Sequence, residues 1–187
     1  MKKNNKIFLP VIMILIFTLI YALGFSSNVA YANRDFILRS ADYPIDAFNS
    51  EIQPFNNLLF YMCIVMFILT IFVYTTESHK RTKLLNSNVI TISLLSGTMI
   101  IFSLINFLKL PGFISKYSLL LKNHEEEFIR MKRVSSLMPN NNMYYFGLIL
   151  SAISLIYAIF MIVSLVRRMK RQKEYIAKRN EVLANAL

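Results

Sequence analysis

Residues 143–166 read MYYFGLILSAISLIYAIFMIVSLV and are followed at once by RRMKRQK, residues 167–173. The first stretch contains no Asp, Glu, Lys, Arg, His or Pro. As a helix it would be about 36 Å long at 1.5 Å per residue, enough to cross a hydrocarbon layer of ~30 Å. Helix is the form to expect, because lipid offers no partner for an amide and each segment must satisfy its own backbone. Gly147, Ser151, Ser154 and Ala158 recur at intervals of four, three and four. At helical periodicity they share a stripe about 60° wide, where small side chains let two backbones approach closely. That stripe reads as a helix-contact face, turned either to a sister helix or to a partner protein.

Three further runs resemble it. Residues 7–25, 58–75 and 89–108 are long, apolar and free of Asp, Glu, Lys, Arg and His. The whole chain is 56% hydrophobic and 17% charged, with mean hydropathy +0.48, whereas soluble domains carry about 25% charged residues. The charges crowd between the runs, as a hydrocarbon solvent demands. The expectation is therefore an all-α, polytopic membrane protein: one four-transmembrane-helix domain covering 1–187. Its spans are 7–25, 58–75, 89–108 and 143–166, its outer loops 26–57 and 109–142, and its basic tail 167–187. A basic start, an apolar stretch and Ala30-Tyr31-Ala32 also fit a cleavable signal peptide. The apolar stretch exceeds the ~7–15 residues of a signal core, which favours a retained anchor.

Lysine and arginine set the orientation. Thirteen lie at the N-terminus, in the loop around Lys80 and in the tail, against eight in the other two loops. The bias places both termini in the cytoplasm of a multi-pass cell-membrane protein. A net charge of +11 would suggest nucleic acid in a soluble protein, but basic flanks held against anionic headgroups account for it, so the lipid bilayer is the expected partner and nucleic acid is not. Richness in Lys, Asn, Ile and Phe points to the AT-rich genome of a low-GC bacterium.

Three segments carry candidate binding residues. The third span offers Ser93, Ser96 and Gly97, with Ser103 beyond, as a looser counterpart to the stripe of the fourth. The second outer loop, between Pro111-Gly112 and Pro139-Asn140, reads as one amphipathic helix with Phe113, Tyr117, Leu120, Leu121, Phe128 and Met131 at helical spacing. Such a stripe must be covered to be stable, by the first outer loop with its Phe48 and Phe55, by the lipid interface or by an external partner. The tail opens with Arg167, Arg168, Lys170, Arg171 and Lys173, matched to headgroups. Beyond it, Tyr175, Arg179, Val182 and Ala186, with Ile176 and Leu183, outline a weak stripe. The tail serves either to anchor topology or to dock on a cytoplasmic subunit.

The sequence offers little catalytic chemistry. One cysteine, Cys63, excludes an intrachain disulfide and with it thiol-oxidoreductase pairs. His79 and His124 fall on opposite sides of the expected topology and have no second ligand at metal spacing. Glu125, Glu126 and Glu127 splay around a helix and read as a solvated patch. With four glycines there is no phosphate cradle or nucleophile elbow, and no cofactor or metal is expected. The spans lack the ionisable residues of pumps and proton-coupled carriers; Asn106 is the one strongly polar side chain near a span interior. The loop order resembles that of claudin-like and tetraspanin-like proteins in layout alone, for the chain has no Trp and no Cys in either outer loop. The functional expectation is a non-enzymatic accessory or scaffold subunit that binds laterally to a larger membrane complex, such as a transporter or cell-envelope machine. The alternative is a self-contained immunity or resistance protein against a membrane-active peptide.

Overall fold

The computed structural model describes residues 9–19, 44–77, 84–123 and 142–184. Within them the chain forms four helices: α1 (Leu9–Leu19), α2 (Pro44–Glu77), α3 (Asn86–Asn123) and α4 (Asn142–Ala184). Three of these, α2, α3 and α4, are long and apolar enough to cross a membrane. The ends of the first expected span, the loop stretch 20–43, the loop 78–83 and residues 124–141, with Phe128 and Met131, lie outside the described residues.

The long helices overshoot a bilayer. At 34, 38 and 43 residues they measure about 51, 57 and 65 Å against a hydrocarbon core of ~30 Å. The excess revises two boundaries. Residues 44–57, read from the sequence as loop, are the first turns of α2, opened by Pro44 at a helix start that wants no amide hydrogen. Residues 109–123, read as the start of the second outer loop with its separate amphipathic helix beyond Pro111-Gly112, are the end of α3, which passes through Pro111 and Gly112 without a break. Proline inside a helix costs about 3 kcal/mol through a lost hydrogen bond and a ring clash. Burial on both sides of it offsets that cost, because Leu110 and Tyr117 are fully buried and Phe113 and Ile114 pack against the same core. Gly112 is not a close-approach glycine, since a Cβ there would meet nothing within 4 Å.

The helix order in space follows from burial. α3 packs against both α2 and α4. Its most apolar window is 44% buried, against 28% for α2 and 33% for α4, which makes it the central helix. α2 buries Phe48, Ile52, Phe55, Leu59, Cys63, Met66, Thr70 and Val73 in steps of three or four residues, with Asn56 buried beside them. α4 buries Tyr144, Gly147, Ser151, Ser154, Ala158, Met161 and Leu165 in alternating three- and four-residue steps, with Leu150 buried beside them. That spacing is the seam of left-handed antiparallel helix packing. From α1, Val11 and Leu15 join the same core cluster.

Candidate functional site

α3 and α4 meet through small side chains. The ring contact between Tyr117 and Tyr144, centroids 5.8 Å apart, fixes their antiparallel register. Counted from that contact in equal seven-residue steps along both helices, Leu110 lies level with Ser151, Ser103 with Ala158 and Ser96 with Leu165. All six are buried, and this count pairs a large residue with a small one at two of the levels and two small ones at the third. The hydroxyls are not the glue. Ser96, Ser103 and Ser151 each donate to the carbonyl four residues back in their own helix, Ile92, Met99 and Gly147, at 2.7–2.8 Å. Those bonds satisfy the hydroxyl locally and leave the seam to packing.

The four residues singled out on the fourth span, Gly147, Ser151, Ser154 and Ala158, all lie on this buried seam. The third-span set divides. Ser96 and Ser103 are fully buried, Ser93 is exposed, and Gly97 is half-buried with open space where a Cβ would stand. Around α3 the buried residues from Asn88 to Tyr117 occupy an arc of about 140°, and Ser93 and Gly97 fall outside it.

At the end where α2 begins and α3 finishes, aromatic rings join three helices. Phe48 of α2 meets Tyr117 of α3 with centroids 5.3 Å apart, and Tyr117 in turn meets Tyr144 of α4. Deeper along both helices, Phe55 meets Phe113, also at 5.3 Å. These are tilted packings of the kind aromatic pairs prefer. Phe113 and Tyr117, expected on an amphipathic helix in need of a cover, are thus covered by residues from the stretch read as first outer loop. Leu120 is partly buried against the same core. On the rim, Lys116 of α3 pairs with Glu51 of α2, both well exposed, so the ion pair adds at most about 1 kcal/mol. At the far end of the same interface the Thr76 hydroxyl donates to the Asn88 side-chain oxygen at 2.8 Å.

Two carboxamides stand apart. Asn56 and Asn106 are 2% and 0% exposed, and neither the amide nitrogen nor the oxygen of either has a hydrogen-bond partner. Asn106 lies in helical phase with Asn88, Phe113 and Tyr117, all of which contact α2, so it is on the α2-facing stripe. Asn106 stood out in the sequence as a polar residue inside a span; Asn56 did not, because the stretch containing it read as loop.

The basic residues 167–173 continue α4 without a break. Arg167, Lys170, Arg171 and Lys173 are exposed and Arg168 is half-buried. From Lys173 to Ala184 every residue is exposed, although the three-four register of the buried seam runs on through Gln172, Tyr175, Arg179 and Val182. The geometry therefore presents packing surfaces. Among the described residues no three His, Cys, Asp or Glu side chains gather, and Cys63 is buried within the core. His79, His124 and Glu125 to Glu127 lie outside the described residues. No family model, curated protein or solved structure matches this chain.

Proposed function

We propose that the protein is a non-enzymatic accessory or scaffold subunit that binds laterally to a larger membrane complex. One observation carries the reading: the last part of α4 is a helix that the other described residues leave uncovered. Tyr175 is 71% exposed and Val182 68% exposed, yet they continue the phase of a seam that is buried throughout the spanning part. An isolated helix of this length is marginal in water, and burial of an apolar stripe is what ordinarily stabilises one. A partner helix or groove in register with Tyr175, Val182 and Leu183 would supply that burial. The expected topology has four spans, with α1 as the first, and both termini on the cytoplasmic side, so the tail would dock there.

The test is co-purification from the native membrane in mild detergent, with an affinity tag on a flexible linker after Leu187. A stoichiometric partner retained by the native chain through gel filtration, and lost when Tyr175, Val182 and Leu183 are all changed to Ser, supports the reading. A lone monomer or homo-oligomer for the native chain overturns it and leaves the immunity alternative in front.

A further inference from the structure

The face of α4 turned away from the bundle carries a groove of about 490 Å³. Its apolar part is lined by Ile156, Ile159, Phe160 and Val163, and its basic part by Arg167, Arg168 and Arg171. At 100° per residue Ile156, Phe160, Val163, Arg167 and Arg171 lie within about 80° of arc, opposite the buried seam through Ser154, Ala158 and Met161, while Arg168 borders the groove on the seam side. That stripe therefore points away from the packed helices, toward the lipid in a membrane-spanning arrangement. Ile156 and Phe160 are 69% and 51% exposed, as befits side chains that meet acyl chains.

We propose that this groove is a binding site for an anionic phospholipid of the adjoining leaflet. The argument is complementarity along the helix axis. Arg167 and Arg171 stand one turn apart at the point where the apolar stretch of α4 ends, which is the level of the lipid phosphate. Planar guanidinium groups hold a phosphate through paired, charge-assisted hydrogen bonds that lysine cannot match. Below them the apolar strip descends toward the middle of the bilayer and receives the first methylenes of the chains. A zwitterionic headgroup offers the same phosphate but places a cation beside the arginines, so the site selects net negative charge. A volume near 490 Å³ suits a headgroup with the upper parts of its chains, in the range of small-molecule sites. This inference is independent of the accessory-subunit reading, since it concerns the outward face of the span and not the exposed tail.

Native mass spectrometry of the full chain released from detergent micelles, titrated with phosphatidylglycerol or phosphatidylcholine, tests it. The native chain should bind phosphatidylglycerol at least about tenfold more tightly than phosphatidylcholine, and R167Q/R171Q should weaken phosphatidylglycerol about 30-fold with phosphatidylcholine unchanged. The control K178Q/R179Q, which removes two tail charges outside the groove, should stay within about threefold of native. Both variants alter exposed residues, and unchanged helicity and elution volume establish that they fold. Equal binding of the two lipids, indifference to R167Q/R171Q, or an equal loss in K178Q/R179Q would overturn the site. Displacement of the lipid by glycerol phosphate alone would overturn the lipid assignment.

Discussion

The seam between α3 and α4 makes a quantitative claim about volume against hydrogen bonding. Ser103 and Ser151 are fully buried, and each hydroxyl is bonded within its own helix, to the carbonyls of Met99 and Gly147. Those carbonyls also accept the ordinary helical amide bond, so removing a hydroxyl leaves nothing unsatisfied. Ser103→Ala and Ser151→Ala should each change stability by less than about 0.5 kcal/mol, well under the ~1 kcal/mol of a hydrogen bond that crosses an interface. Ser151→Leu is different, because Ser151 lies level with the fully buried Leu110. The added carbons have no room and should cost about 1–3 kcal/mol. Leu110→Ala alone should cost about 2–5 kcal/mol through its cavity. Combined with Ser151→Leu it should cost less than the sum, with a coupling of about 1–2 kcal/mol. Reversible unfolding in mixed micelles, followed by helicity as the denaturing detergent fraction rises, measures all five variants. A loss above about 1.5 kcal/mol in either alanine variant would refute the packing account, since the hydroxyl would then be bonding across helices. Additivity of Leu110→Ala and Ser151→Leu would refute the register.

Two further outcomes follow from the α2–α3 interface. Asn106→Leu replaces a fully buried carboxamide with no partner by an apolar side chain of similar shape, and should raise stability in the same assay by about 1–3 kcal/mol; a loss instead would mean that a water or ligand bonds Asn106 in the membrane. Tyr117→Ala, which removes the ring shared by Phe48 and Tyr144, should cost about 3–5 kcal/mol, whereas Glu51→Gln at the exposed pair with Lys116 should cost less than about 1 kcal/mol; the reverse ranking would place the hold on this end in the ion pair.

How much of this was legible in the sequence depended on the solvent each segment meets. Inside the bilayer the signal is strong, because hydrocarbon tolerates so few residue types. The extent of α4 through residues 143–166 and the shared face of Gly147, Ser151, Ser154 and Ala158 could be read from spacing alone. Beyond the bilayer the same helices carry Asp46, Asn49, Ser50, Glu51 and Gln53, and polarity there is the mark of loop and exposed helix alike. The apolar steps at Phe48, Ile52, Phe55 and Leu59, in phase with the span that follows, were the signal that residues 44–57 belong to α2. Pro111-Gly112 read as a boundary on local preference, and the tertiary burial of Leu110 and Tyr117 outweighs that preference. Small size did not suffice to assign the α3 face. Ser93, Ser96 and Gly97 are all small, but only Ser96 falls on the arc that burial defines, and that arc depends on which neighbours α3 has.

Photocrosslinking in intact cells tests directly the proposed docking of a partner subunit on the exposed end of α4. A photoreactive benzoylphenylalanine at position 182, on the uncovered stripe, should yield one discrete adduct of fixed added mass, and the same probe at position 180, on the opposite side of the helix, should yield little. No adduct from either position, or equal and heterogeneous adducts from both, would contradict the account.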